Sequence, residues 1–230
     1  MVKSRPYVIL SAAISLDGNI ATKTGDSRLS SKKDLVRVHK LRSNVDAILI
    51  GKRTMMIDDP SLTVRYVKGK NPIRIILDSS GSIKSNSKII QTCRKIPTII
   101  AVSEKTSEKN VSRLQRYGLE VIKCGHKKIN LKKLLYILKK KSINKLLVEG
   151  GGTTNWSFIK DGLVDEIIVT LTPFILGGKD AISLVEGGGF SKISQSCSLK
   201  LKYVHHLKNE LVLRYVVQFF RSSRNSSILY

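Results

Sequence analysis

Short apolar runs rich in β-branched residues recur along the chain, each broken off by glycine, proline or a polar cluster. The runs at 7–14, 46–50, 73–77, 98–102, 119–122 and 145–148 have the length and composition of buried strands. Between them the period changes. Ser31-Lys32-Lys33-Asp34 has the form of a capping box, and Leu35, Val38 and Leu41 follow at helical spacing. Leu131, Leu134, Leu135 and Leu138 fall at i, i+3, i+4 and i+7, with lysines on the other side. Strands alternating with helices predict an α/β fold: a mostly parallel sheet with helices on both faces. The last third differs. The run 166–172 reads as a strand closed by Pro173, and 199–207 and 210–219 flank Lys208-Asn209 as an antiparallel hairpin. The expectation is a single domain over residues 1–218, a mixed sheet with an antiparallel C-terminal edge, and a loose tail over 219–230.

Composition narrows the class. The 230 residues are 41% hydrophobic, which removes a disordered polyelectrolyte despite the net charge of +24. Cys93, Cys124 and Cys197 are scattered and odd in number, with no C-x-x-C pair, so neither a zinc ribbon nor a redox motif is expected. Free thiols fit a reducing, cytoplasmic setting. The apolar run behind Lys3 and Arg5 is short and is interrupted by Asp17 and Gly18, unlike a signal peptide. No run approaches the ~18 apolar residues of a membrane helix. The charge does point to an anion, whether nucleic acid, a membrane surface or a phosphorylated small molecule. Aromatic residues are only 6% and are not interleaved with the basic ones, which argues against specific nucleic-acid binding. The lysines at 127–128, 132–133 and 139–141 suit a solvated helix face.

The segment 146–154 runs from a strand through Gly150, Gly151 and Gly152 into a helix start, and Gly162 is placed to stop that helix. Glycines let the backbone approach an anion, and the free N–H groups of a helix N-terminus bind it. The pattern is neither G-x-G-x-x-G nor a Walker loop. Glu149 falls at the carboxyl end of the strand, where open α/β sheets place ligands. Taken alone, a tight turn and a surface carboxylate explain these residues equally well. Residues 15–21, 51–54 and 58–65 also trail strands and so can converge on one edge of the sheet. Asp58 and Asp59 have no histidine or cysteine at ligand spacing, so no metal is expected, and Asp59-Pro60 reads as a turn.

Six ordered motifs carry a resemblance over roughly residues 5–218. They are Ser15-Leu16-Asp17-Gly18, the Gly51–Thr54 turn, the block from Asp58 to Arg65, the block from Pro72 to Ser79, Val148–Thr153, and Gly162-Leu163-Val164-Asp165-Glu166. Together they resemble the riboflavin-biosynthesis reductase family, which implies a dihydrofolate-reductase-like fold. No deaminase zinc signature accompanies them. The chain is therefore similar to the standalone archaeal and fungal reductases. These reduce the ribosyl group of 2,5-diamino-6-(ribosylamino)-4(3H)-pyrimidinone 5′-phosphate with NADPH, as homodimers.

The resemblance implies hydride transfer to C1′ of a ring-opened imine. It places the cofactor against Ala13, Thr54, Asp58, Ser79 and the turn of Gly150, Gly151, Gly152 and Thr153. It places the substrate against Ser27, Arg42, Leu62, Arg65 and Glu149, with Arg42 and Arg65 suited to its phosphate. No histidine stands in the matched motifs, which leaves water or Glu149, the catalytic candidate, to protonate the imine nitrogen. Other roles stay open for several of these residues. Arg42 also suits a helix dipole, Thr54 a helix cap and Asp17 a turn. Asp34 is a capping acid or a substrate-site acid. Preference for NADPH over NADH rests on the resemblance; Ser79, Ser80, Lys84, Ser103 and Lys105 are candidates for the 2′-phosphate. The rivals are a dihydrofolate-reductase-like enzyme with another substrate and a basic nucleic-acid-binding module.

Overall fold

A computed structural model describes residues 4–218, so the expected tail at 219–230 lies outside the described residues, and Phe219 of the hairpin with it. The first half of the chain gives β1 (Tyr7–Ile14), β2 (Asn19–Ala21), α1 (Lys32–Ser43), β3 (Ala47–Gly51), α2 (Lys52–Asp58), β4 (Ile73–Leu77), α3 (Lys88–Gln91), β5 (Thr98–Val102) and α4 (Glu108–Arg116). The second half gives β6 (Glu120–Lys123), α5 (Leu131–Lys140), β7 (Lys145–Val148), α6 (Gly152–Lys160), β8 (Glu166–Leu171), β9 (Ile182–Ser183), β10 (Ser198–Leu207) and β11 (Glu210–Gln218).

Nine strands form one sheet in the order β10-β11-β8-β1-β7-β3-β4-β5-β6. The strands from β8 to β6 are parallel; β11 and β10 add antiparallel at the edge. This is the mixed sheet expected from the chain. Alternation along each strand sends side chains to opposite faces. Val8, Leu10 and Leu49 pack with the four leucines of α5 and with Phe158 of α6. Ile9, Ile48 and Ile50 pack on the other face with Met55 of α2 and Leu114 of α4. Helices therefore cover both faces, and the central strands are hydrophobic throughout because neither side meets water.

The helix ends follow from identifiable residues. Ser31 caps α1, its hydroxyl accepting from the Asp34 N–H at 3.2 Å. The return half of the capping box is not made by Asp34. Glu210 of β11 takes the Ser31 N–H at 2.8 Å and its hydroxyl at 2.6 Å. Asp34 is fully buried and accepts from Ser30, Arg37 and Thr170 at 2.6–2.8 Å. This polar knot ties the start of α1 to β8 and β11. At the other end of the chain's helices, α6 stops in a Schellman pattern. The Leu163 N–H reaches the Phe158 carbonyl, the Gly162 N–H reaches that of Ile159, and Gly162 takes φ +68°.

Candidate active site

The carboxyl ends of β1, β3, β4 and β7 open into one cavity of about 530 Å³. β1 contributes Ser11, Ala12 and Ala13; β3 ends at Ile50 and Gly51; β4 ends at Leu77. Leu35, Val38 and Arg42 of α1 form one wall, and α2 and the first turn of α6 form the other.

Two hydrogen bonds hold the glycine turn against α2. The Gly51 N–H donates to the Gly150 carbonyl at 2.9 Å, and the Gly151 N–H donates to Thr54 Oγ1 at 2.9 Å. Thr54 thus braces the turn and does not cap α2, whose N-cap is Gly51. The Gly150–Gly151 peptide is cis. Gly152 has no room for a side chain: a Cβ there would stand 2.6 Å from the Ser183 carbonyl oxygen and 2.6 Å from Glu186 Cγ. Lys52 Nζ lies 3.1 Å from Ser80 Oγ and 3.4 Å from Asp78 Oδ1, with Ser82 Oγ also in reach.

Across the cavity, Arg42 and Glu149 form a two-pronged pair, Nε to Oε1 at 2.8 Å and Nη2 to Oε2 at 2.7 Å. Arg42 also donates to the Thr63 carbonyl at 3.2 Å, so it fixes the loop after α2. The Glu149 carboxylate holds the Arg42 guanidinium above its ordinary pKa, outweighing the burial that opposes it. Behind them His39 is 2% exposed, and its Nδ1 accepts the Arg65 backbone N–H at 2.8 Å. Burial, then the Arg42 and Arg65 charges, push His39 down to about 4. Burial raises the Asp58 carboxyl at the cavity wall.

The RibD C-terminal domain family matches residues 6–213. The chain belongs to that family. A 2,5-diamino-6-ribosylamino-4(3H)-pyrimidinone 5′-phosphate reductase of Methanothermobacter thermautotrophicus is 41% identical over 93% of this chain and 99% of its own length. One from Aquifex aeolicus is 37% identical over 86% of this chain and 90% of that protein. Among solved structures, Acinetobacter baumannii RibD in form 2 is 28% identical with a TM-score of 0.82; this chain is covered to 95% and spans 59% of that longer one. The Saccharomyces cerevisiae riboflavin biosynthesis reductase Rib7 shares the fold at a TM-score of 0.72 and 22% identity, over 95% of this chain and 92% of that one. With these family neighbours, the fold is dihydrofolate-reductase-like.

Within this RibD-like frame, the residues nominated from the chain divide into three groups. Ala13, Thr54, Asp58, Gly151, Gly152 and Thr153 line the cavity, as do Ser27, Arg42, Leu62 and Glu149. Gly150 stands just behind the lining, backing the turn. Ser79 and Arg65 are not among the lining residues. The Ser79 carbonyl ties down the next loop, accepting from the Ser103 N–H and the Thr106 hydroxyl. Arg65 is exposed, and its guanidinium donates to Thr63 Oγ1 at 3.0 Å. Asp34 sits one layer back, bonded to Ser30, which does line the cavity. Sequence reasoning missed Lys52, Asn155 and Glu186 at the wall. Lys52 stands inside the Gly51–Thr54 motif, where a cation just past a strand end is the available signal; Glu186 lies in a glycine-rich stretch with no period to place it.

Proposed function

We propose that this chain is a single-domain reductase over residues 1–218 that uses NADPH to reduce the ribosyl group of 2,5-diamino-6-(ribosylamino)-4(3H)-pyrimidinone 5′-phosphate to ribityl in riboflavin biosynthesis. The observation that carries the reading is the correspondence, nearly end to end, with the Methanothermobacter reductase of that name. The cavity supports it, because Ala13, Thr54, Asp58, Gly151, Gly152 and Thr153, nominated for the cofactor, share one space with Ser27, Arg42, Leu62 and Glu149, nominated for the substrate.

The residues present fit a dinucleotide. The N-terminal turn of α6 suits a diphosphate, and Arg53 lines the cavity beside it. Lys52 lines the cavity and carries the positive charge that a 2′-phosphate requires, which supports NADPH over NADH. When bound, the cofactor supplies hydride for C1′ of the ring-opened imine. Arg42 holds both Glu149 oxygens in place, and each oxygen keeps a lone pair for a substrate hydroxyl or amino group. Leu35, Val38 and Leu62 exclude water along the substrate wall. Water is left as the donor to the imine nitrogen.

The same reading makes the protein a cytoplasmic homodimer. No helix of the described residues is long and apolar enough to cross a membrane. The test is spectrophotometric. Purified protein is expected to consume NADPH when the pyrimidinone ribosyl phosphate is added, and not with dihydrofolate. Glu149→Gln is expected to slow turnover at unchanged NADPH affinity. Oxidation driven by dihydrofolate, or none with the ribosyl phosphate, sinks the proposal.

A further inference from the structure

Glu186 stands at the anion cradle. It lines the cavity, and its Oε2 accepts from Thr153 Oγ1 at 3.4 Å and lies 3.7 Å from Arg53 Nη1. Its side chain crosses the first turn of α6 so closely that a Cβ on Gly152 would meet Glu186 Cγ at 2.6 Å. Upstream the segment is pinned. The Leu184 N–H donates to the Gly18 carbonyl at 3.0 Å, and the Leu184 carbonyl accepts from Asn155 Nδ2 at 2.8 Å. Downstream, Gly187 lies against the Trp156 ring, where a Cβ would stand 1.9 Å from Cδ1, so it is the Glu186 side chain and not the backbone that can turn away. A second feature of the same helix turn calls for a donor, such as a ribose hydroxyl of a dinucleotide, because an amide oxygen accepts. Asn155 is 1% exposed and lines the cavity, yet its Oδ1 has no hydrogen-bond partner among the described residues. Buried polar atoms are rarely left unpaired without a functional reason.

We infer that Glu186 is an intramolecular competitor for the diphosphate subsite. Its carboxylate is the protein's own stand-in for the ligand anion. The positive end of α6 and the Arg53 guanidinium attract whatever negative charge is nearest. In the free protein that charge is Glu186. A phosphate entering the same place meets a like charge a few ångströms away, so the carboxylate must withdraw and give up Thr153 and Arg53. Both contacts are long, so the withdrawal is easy. Every incoming anion bears the same handicap. A ligand held by many other contacts, such as a dinucleotide, still binds; a small free anion falls below occupancy. Glu186 thereby sets which anions hold the site at ordinary concentrations.

This inference rests on the dinucleotide reading, and the experiment separates the two. The full chain, Glu186→Gln and Glu186→Ala are titrated with NADPH and with inorganic pyrophosphate. Both variants are expected to bind both ligands more tightly than the unmodified chain, by one common factor of roughly threefold to tenfold. The advantage is expected to shrink as salt is added. Equal or weaker binding by both variants overturns the inference. Tighter pyrophosphate binding without any NADPH binding keeps the role of Glu186 and overturns the dinucleotide reading. Failure of every protein to bind either ligand overturns both.

Discussion

Burial and two guanidinium neighbours keep His39 neutral, with its pKa lowered to about 4, and neutrality is what lets Nδ1 accept the Arg65 N–H. In the unfolded chain the ring returns to about 6.5. Between those values the unfolded state binds more protons than the folded one, so stability falls as pH drops through the window. The groups facing the ring are Arg42, Arg65, Glu149 and Tyr66, whose ring meets the imidazole edge to face at 4.7 Å. The loss amounts to at most about 3 kcal/mol between pH 6.5 and 4. Urea unfolding followed across that range tests it. His39→Asn, which retains an acceptor for Arg65, is expected to flatten the slope; an unchanged slope assigns the acid sensitivity elsewhere. The same residue marks a limit of reading side chains singly. The family resemblance nominates Arg42 and Glu149 for the substrate one at a time, and their own surroundings in the chain do not link them. Their pairing across 107 positions is visible only once α1 and the end of β7 are side by side.

At the level of elements, period and punctuation carried most of the fold. The four leucines of α5 and the glycine stop of α6 are where the chain places them. Gly162 at φ +68° occupies a conformation that a Cβ resists, so Gly162→Ala is expected to cost about 1 kcal/mol in urea denaturation while NADPH-dependent turnover persists. A neutral effect would mean that α6 ends without needing the left-handed residue. Period was less informative about destination. Leu35 and Val38 share a stripe with Leu41, but they line the cavity while Leu41 packs on the core. An apolar stripe announces a surface to be covered, not whether protein or ligand covers it. Helix α4 escaped notice because only Val111 and Leu114 of its nine residues are buried, too few to set a period. β2 and β9, three and two residues long, escaped because such short strands have none.

For the whole molecule, the net charge of +24 is distributed unevenly. Asp34, Asp165, Glu166 and Glu210 are buried in internal pairs, so the positive excess faces outward. Two copies therefore repel at long range, and the proposed homodimer needs an apolar contact to offset this. The C-terminal hairpin carries an exposed apolar patch that suits this contact. Between Leu201 and Tyr203 the register of β10 shifts by one residue, which turns Leu199, Leu201 and Val204 to the face shared by Leu213 and Tyr215 of β11. Without that bulge, period-two alternation would send Val204 to the opposite side, which is why the patch is illegible in the chain. Leu199, Leu201 and Val204 are 42%, 47% and 51% exposed, on an edge strand with unpaired backbone groups. In the proposed homodimer, a second copy seated there would bury the patch and blunt the edge. Light scattering on the purified chain is expected to give a dimer whose dissociation constant falls as salt rises, because salt screens the repulsion and leaves apolar contact intact. Leu201→Lys and Val204→Lys each place a charge on the patch and are expected to give monomers that remain folded, since both positions are half-exposed. A dimer that survives both substitutions, or one that salt dissociates, would locate the interface on a polar face elsewhere.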